Sequence, residues 1–389
     1  MMQDKIKIAY FAGSMKPGQD GVTRVLYKII EYLNKNGIEN IFFSPVIPLE
    51  FEQPTRMYEV PSFTIPLYKE YKFAVPGIKY FEESLKNFVP DILHINSPCS
   101  LGYAAVKYGQ KNNIPVVATY HTHFPSYAKY YKVKALENWG WNYLRSLYNK
   151  CEAVYVPSLP IMKELSMQGL GTIQFLPHGV DTEVFNPSFK SLEWKESIGC
   201  KNKKIILYSG RLVWEKDLKV FADTYGIITA KRNDAVFVLV GDGPIRSELQ
   251  EMMPNAVFLG YQSGNSLSTV YSSCDIFAFP STTETFGNVT VEAMASGIPP
   301  VCVRAGGAYG IINEGVTGLI AEPHNAESFA GKILYFLDNE VKRHNIGLNA
   351  LKYSHTQSWD TIISRLLQSY TGIIDNYKKT LIYKTIKAA

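Results

Sequence analysis

The sequence is short of cysteine and of long hydrophobic runs, and both shortages exclude classes of protein. Its five cysteines lie far apart and never form a Cys-x-x-Cys pair, which argues against a disulfide framework or zinc knuckle and favours a reducing compartment. The longest apolar runs, at residues 6–13 and 235–241, are far too short to span a bilayer. No charged segment with a long apolar run stands near Met1, so we expect no secretory signal and a cytoplasmic location.

The chain also has little excess charge of either sign. Lysine and arginine number 40 against 35 aspartates and glutamates, and the net charge of +5 is too small by itself to indicate nucleic-acid binding. Hydrophobic residues make up 46% and charged residues 19%, a balance typical of a folded globular protein rather than a disordered one. Because 389 residues are more than one hydrophobic core usually organises, we expect two domains.

What the sequence has instead is a repeated alternation of apolar strands and helices. A β-rich run at residues 5–12 leads into a glycine-containing loop and then a helical pattern at 22–36. On both sides of a turn-rich stretch at 176–187 the alternation continues, with strands predicted at residues 91–95, 115–120, 153–156, 204–209, 235–240, 275–279 and 300–303 and helices at 101–112 and 220–232. The pattern predicts an α/β fold of two doubly wound, Rossmann-like domains that face each other across a ligand cleft. We place the first domain at 1–186, the second at 187–365 and a final helix at 366–389.

The strongest chemical signal surrounds a predicted helix start near Gly287 or Asn288, which follows a buried strand and a short loop. Free backbone N–H groups at such a start favour an anion such as phosphate, and glycine allows it to approach closely. Glu284 and Glu292 flank the start. Because carboxylates repel phosphate, we expect both to accept hydrogen bonds from neutral hydroxyls, which a sugar nucleotide carries on either side of its pyrophosphate. The alternative is a pair of solvated surface charges.

Two cations, Arg211 and Lys216, follow another predicted strand. Converging at its carboxyl end, they would neutralise a pyrophosphate and stabilise the charge that departs on bond cleavage. Glu215 and Asp217 stand beside Lys216, so a surface salt-bridge loop is the open alternative.

An ordered set of motifs extends these two signals along the chain. In order they are Pro177-His-Gly-Val-Asp181, Gly210-Arg-Leu with Glu215-Lys216, Val240-Gly-Asp-Gly-Pro244, Phe258-Leu-Gly260, Glu284 with Glu292-Ala-Met-Ala-Ser-Gly297, and Gly315-Val-Thr-Gly-Leu319. Together they resemble the family 4 retaining glycosyltransferases of the GT-B fold, over nearly the whole chain. In that fold the last helix usually crosses back to the first domain.

The resemblance implies that the second domain binds a nucleotide-sugar donor, a UDP- or GDP-hexose, with no metal or other cofactor. Arg211 and Lys216 would bind the pyrophosphate, Glu284 the sugar hydroxyls and Glu292 the ribose diol. Gly21 lies in a loop that resembles the family's glycine loop over the donor phosphates, although the usual pair of glycines is incomplete there. Further donor contacts are expected beside the base and at the helix start: Tyr261, Gln262, Phe286, Gly287, Asn288 and Val289.

His121 is the candidate catalytic residue of the first domain. It shares a strand face with His123, but no third metal ligand with fitting spacing is visible in the sequence. The resemblance to the family's His-Thr motif implies that His121 positions the transferred sugar and stabilises an oxocarbenium-like transition state. A core histidine satisfied by the backbone is the alternative. His94 and His178 are interpreted as structural.

Basic and aromatic residues alternate between residues 126 and 150, among them Lys129, Tyr130 and Lys132. Such a segment is typical of a helix on an anionic membrane surface, and equally of an ordinary amphipathic helix. A similar segment in glycolipid-forming members of the family favours a lipid acceptor and a peripheral location on the inner face of the membrane. For the basic tail at 366–389 we favour an ordinary packed helix.

The predicted function is a retaining hexosyltransferase that moves glucose, galactose or mannose to an acceptor hydroxyl of a lipid such as diacylglycerol or a phosphoinositide-like lipid. The catalytic residues would be His121, Arg211, Lys216 and Glu284. No carboxylate nucleophile stands out in the first domain, so the resemblance implies same-face attack with the donor phosphate as base. The alternatives are a soluble or glycan acceptor and a non-catalytic sugar-nucleotide-binding protein. A nicotinamide-dependent oxidoreductase is disfavoured, since no Gly-x-Gly-x-x-Gly follows the first strand.

Overall fold

A computed structural model describes residues 6–18, 21–65, 68–75, 77–121 and 134–388. The chain divides into two compact units. The first comprises Met1–Pro157, Met162–Leu176 and Trp359–Ala389, and the second comprises Ser158–Ile161 and Pro177–Ser358. The second unit therefore begins about ten residues before the expected start at 187 and ends before the expected end at 365.

The first unit is built on a parallel sheet. Among its described residues the strands are β1 (Ile8–Phe11), β2 (Asn40–Ser44), β3 (Arg56–Glu59), β4 (Ser62–Ile65), β5 (Tyr68–Ala74), β6 (Ile92–Ile95), β7 (Val116–Thr119), β8 (Ala153–Val156) and β9 (Ile173–Phe175). The sheet order is β3-β2-β1-β6-β7-β8-β9, with parallel pairing throughout, while β4 and β5 form a separate antiparallel hairpin. The order reverses between β1 and β6, as in doubly wound folds.

Helices cover this sheet because their apolar residues recur on one face. They are α1 (Gly21–Lys35), α2 (Glu82–Phe88), α3 (Ser100–Asn112), α4 (Lys134–Tyr148) and α5 (Leu159–Met167), the last of which begins in the second unit. In α1, Val25, Leu26, Ile29, Ile30 and Leu33 recur at a spacing of three to four residues and are all buried.

The second unit repeats the plan. Its strands are β10 (Lys204–Ser209), β11 (Ala235–Val240), β12 (Val257–Gly260), β13 (Ile276–Phe279), β14 (Pro300–Val303) and β15 (Leu319–Ala321), in the order β12-β11-β10-β13-β14-β15. Its helices are α6 (Leu192–Ser197), α7 (Leu218–Thr229), α8 (Arg246–Met252), α9 (Gly264–Ser273), α10 (Asn288–Ala295), α11 (Ala326–Asp338) and α12 (Glu340–His355). Central strands such as β11 are apolar on both faces, as parallel strands covered by helices must be. Two parallel, Rossmann-like halves confirm the predicted fold class.

The last helix, α13 (Trp359–Ala388), belongs to the first unit and packs against α1. Ile363, Leu366, Tyr370 and Ile374 are buried in the core there. In the searched, described part of the chain, no helix is both long and apolar enough to cross a membrane.

Candidate functional site

The candidate site lies where the strand order of the second unit reverses. The loop after β10 carries Arg211 and Lys216, and the loop after the neighbouring strand β13 carries Glu284. In doubly wound sheets, ligands bind outside the carboxyl ends of the strands at this reversal point. The sheet therefore brings together two signals that are far apart in the sequence.

Lys216 and Glu284 form an ion pair between these two loops. Their side chains are 16% and 23% exposed, so the pair lies in a partly desolvated position at the edge of the sheet. Partial burial strengthens the attraction relative to a fully exposed pair. The cation and the carboxylate expected to bind pyrophosphate and sugar thus lie directly side by side.

Three further hydrogen bonds hold the same loops together. Thr283 Oγ1 donates to the carbonyl of Glu215 at 3.0 Å. Asp217 Oδ2 accepts from the backbone N–H and the hydroxyl of Thr282, at 2.9 and 2.7 Å. The segments 215–217 and 282–284 are therefore joined at three successive positions, which fixes the two functional loops relative to each other.

Gly287 precedes α10 and has a φ of +88°, a backbone conformation that favours glycine. A Cβ there would approach the Ala308 Cβ to 2.9 Å, so the close approach of the two loops also requires glycine. The helix starts at Asn288, as expected. The first N–H groups of an α-helix have no partner within the helix, and here the N–H of Thr290 donates to the Gly287 carbonyl just before it, at 2.9 Å. These N–H groups provide a partial positive charge beside Glu284.

His178, interpreted from the sequence as structural, contacts this helix start. Its Nδ1 donates to Asn288 Oδ1 at 2.9 Å, and its ring lies 5.0 Å from that of Phe286. Burial lowers its pKa to about 4, so the imidazole is neutral at pH 7. The signal for this position was its place in the Pro-His-Gly motif, but its proximity to Asn288 depends on contacts 110 residues apart.

The remaining expected donor residues differ in their exposure. Glu292 is 8% exposed and its Oε2 accepts from Tyr271 Oη at 3.2 Å. The side chain of Arg211 is exposed, while its carbonyl accepts from Tyr208 Oη at 3.0 Å. Tyr261 is exposed, the Gln262 side chain donates to the carbonyl of Leu259, and Val289 is half-buried: these three positions lie in the loop after β12 and in α10.

In the first unit, His121 follows β7 and Asn96 follows β6, the neighbouring strand. Both are buried, and His121 Nε2 donates to Asn96 Oδ1 at 3.1 Å. This contact restrains the orientation of the ring. Gly21 is the first residue of α1 rather than part of a preceding loop. Three acceptor-side candidates lie outside the described residues: Lys129, Tyr130 and Lys132.

Comparisons with known proteins agree with this architecture. Residues 191–353 match the family model "Glycosyl transferases group 1", and residues 19–184 match "Glycosyltransferase Family 4". The GDP-mannose-dependent alpha-mannosyltransferase of Corynebacterium glutamicum is 31% identical over 95% of this chain and 89% of its own length. The alpha-monoglucosyldiacylglycerol synthase of Streptococcus pneumoniae is 25% identical over 98% of this chain and 91% of its own.

A solved structure of Anabaena HepE in complex with UDP superposes with a TM-score of 0.77, covering 94% of this chain and 100% of that one at 18% identity. At that identity the likeness concerns the fold. The chain belongs to the family 4 glycosyltransferases, and its fold is GT-B.

Proposed function

We propose that this glycosyltransferase moves a hexose from a nucleoside diphosphate sugar to an acceptor hydroxyl with retention of configuration. The Lys216–Glu284 ion pair at the reversal point of the second sheet is the observation that carries the proposal. It supplies one cation for a pyrophosphate directly beside one acceptor for sugar hydroxyls. GDP-mannose is the first donor to test, because the 31% identical relative is named for it; UDP-glucose is the second.

The donor would lie across the loops after β10 and β13, in an order set by charge. Lys216 and the exposed Arg211 would neutralise the pyrophosphate, assisted by the first N–H groups of α10. Glu284 would accept from sugar hydroxyls, and Glu292 from the ribose diol. Tyr271 donates to Glu292 and so orients the carboxylate for that role.

Catalysis would follow from charge stabilisation at these groups. As the glycosidic bond breaks, negative charge grows on the departing diphosphate, and Arg211 and Lys216 stabilise it without a metal. The same departing phosphate would take the acceptor proton on the face it leaves, which retains the configuration. His121, oriented by Asn96, would position the sugar as its positive charge develops.

For the acceptor we propose a membrane lipid, a choice supported by the relative named alpha-monoglucosyldiacylglycerol synthase. A second support is the exposed end of α13, residues 375–387. Beyond Ile374 the helix continues for about four turns that carry exposed Ile382, Tyr383 and Ile386. Tyr383 and Ile386 lie away from the face of Tyr370 and Ile374, which packs in the core, and Ile382 lies at its side. All three are exposed, so the tail is not the fully packed helix expected from the sequence.

The charge of this end suits an anionic bilayer. Lys378, Lys379, Lys384 and Lys387 are exposed, against Asp375 as the acidic residue of the same stretch. Apolar side chains flanked by lysines are typical of a helix lying in the headgroup region. The segment at 126–150 would form a second contact with the same surface.

A product assay tests the reaction. The purified chain is incubated with GDP-mannose or UDP-glucose and vesicles containing diacylglycerol or phosphatidylinositol, and the product is analysed by mass spectrometry and by NMR of the anomeric proton. We expect one α-linked glycolipid from an α-linked donor, in the presence of a metal chelator. A β-linked product or transfer only to soluble glycans would overturn the retention or the lipid acceptor respectively.

Vesicle sedimentation tests the membrane surface. With phosphatidylglycerol vesicles, Ile382→Glu with Ile386→Glu should reduce the bound fraction several-fold, and Lys129→Glu with Lys132→Glu should also reduce it. Val341→Glu, at an exposed apolar residue of the second unit, is the matched control. Binding by the tail variant equal to that of the control would remove the α13 end from the membrane surface.

A further inference from the structure

Asp217 and His324 share an unusual backbone conformation. Asp217, at the start of α7, has a φ of +56°, and His324, in the loop between β15 and α11, has a φ of +55°. Side chains disfavour this left-handed region, which glycine enters without cost. Non-glycine residues held there are concentrated at functional sites.

These two residues contact each other directly. His324 Nδ1 lies 3.0 Å from Asp217 Oδ1, with the imidazole 63% exposed and the carboxylate 6% exposed. The other carboxylate oxygen, Oδ2, accepts two hydrogen bonds from Thr282. One buried carboxylate therefore links the loops after β10, β13 and β15.

The Asp217 carboxylate is directed away from its own helix. An aspartate before a helix ordinarily accepts from the N–H groups of the first turn. Here the side chain makes no capping bond to the described amides of α7. Its hydrogen bonds go instead to Thr282, two residues before Glu284, while the preceding residue is Lys216.

From this arrangement we propose that Asp217 is a positioning residue that holds Lys216 and Glu284 in register for the donor. His324 acts through Asp217, because its contact with Oδ1 fixes the orientation of the carboxylate. The proposal rests on the donor site proposed above. A glycine at either position would adopt the left-handed backbone without its energetic cost. Each side chain must therefore contribute a contact that glycine cannot make. Asp217 provides acceptors for the loop that carries Glu284, and His324 fixes the second oxygen of that carboxylate.

Glycine substitution separates positioning from stability. In both glycine variants the left-handed backbone is adopted at lower cost, so the melting temperature of His324→Gly should stay level or rise. In Asp217→Gly this gain offsets only part of the loss from the unpaired Thr282 donors, and we expect a fall of a few degrees. Without its acceptors the loop of Glu284 loosens, and we expect the donor KM and the Kd for GDP to rise about ten-fold in Asp217→Gly. The rise should be smaller in His324→Gly. The turnover number should change less than the KM in both.

Three companion variants complete the test. Asn113→Gly, at another left-handed residue with a φ of +55° in the first unit, should leave KM unchanged. Asp217→Asn keeps one acceptor for Thr282 and should resemble His324→Gly. The double glycine variant should be no worse than Asp217→Gly, because the histidine acts through the carboxylate.

Two outcomes overturn the inference. Donor KM and GDP affinity within two-fold of the wild type in both Asp217→Gly and Asp217→Asn would show that the carboxylate positions nothing. A loss in His324→Gly that adds in full to that of Asp217→Gly would show that the two act separately. If the wild-type chain binds neither GDP nor UDP, the proposed function itself fails, which distinguishes the two results.

Discussion

The carboxyl ends of the two parallel sheets carry different chemistry. In the second unit they bring together the cation Lys216 with the carboxylate of Glu284, and the carboxylate of Asp217 with the imidazole of His324. In the first unit the corresponding described pairs contain no carboxylate, lysine or arginine: His121 with Asn96 at the strand ends and His94 with Thr119 within the sheet. The same topology therefore supports two environments, one with an ion pair between neighbouring loops and one with an imidazole held by an amide. At the strand ends, the difference comes from the residues of the loops that follow the strands.

The largest effect should follow from removing the charge of Glu284 at the carboxyl end of the second sheet. Glu284→Gln keeps the size of the side chain but removes its charge, so both the pairing with Lys216 and the acceptor for sugar hydroxyls weaken. We expect transfer to fall by ~10²–10³-fold while the melting temperature changes little, because the pair is partly exposed. Product formation under donor saturation measures this.

The exposed Glu251→Gln is the matched control and should transfer normally. Normal turnover in Glu284→Gln would contradict the donor-site assignment.

The buried His94 of the first unit should make the stability of the chain depend on pH. Burial lowers the pKa of His94 to about 3, and the ring bonds to Tyr370 on α13 through Nδ1 and to Thr119 through Nε2, at 2.7 Å for the second. Below the ordinary histidine pKa of about 6.5 the unfolded chain binds a proton at His94 that the folded chain does not bind. The free energy of unfolding therefore decreases as the pH is lowered. This group should cost about 2 kcal/mol at pH 5 relative to pH 7.

Urea unfolding of the wild type, His94→Gln and the exposed control His344→Gln at several pH values tests this effect. The loss between pH 7 and pH 5 should be smaller in His94→Gln alone. Equal slopes in all three proteins would mean that His94 takes up its proton as readily in the folded chain as in the unfolded chain, which contradicts the lowered pKa.

A smaller effect should follow from removing the contact between His121 and Asn96 at the strand ends of the first unit. Asn96→Leu removes the acceptor that holds His121 and leaves the ring free to turn. We expect kcat to fall about ten-fold with the donor KM unchanged, since Asn96 lies in the first unit. Asn96→Asp, which keeps an acceptor, should recover part of the rate. A change confined to KM would indicate a donor-binding role instead.

Much of this arrangement was predictable from local pattern. The strands at 153–156, 204–209, 235–240 and 300–303 have the expected bounds, because continuous apolar runs between turn residues are typical of buried parallel strands. The start of α10 at Asn288 followed from the glycine before it.

Contacts between distant segments were not predictable in the same way. Lys216 was weighed against its sequence neighbours Glu215 and Asp217, yet it pairs with Glu284, 68 positions away. That pairing depends on β10 and β13 lying side by side, and strand order is not encoded in any short window. The contact between Asp217 and His324 has no local signature either. The left-handed backbone conformation is usually signalled by glycine, and neither position carries one.

The most direct measurement of the central claim is a thermal-shift titration of the wild type and Lys216→Met with GDP, UDP, ADP, GDP-mannose, UDP-glucose and NAD. A ligand that binds only the folded chain raises the melting temperature. We predict a selective rise with one nucleoside diphosphate and its sugar conjugate, with GDP first, and a much smaller rise in Lys216→Met. No rise with any sugar nucleotide, or a rise with NAD alone, would contradict the account of the second unit as a donor site.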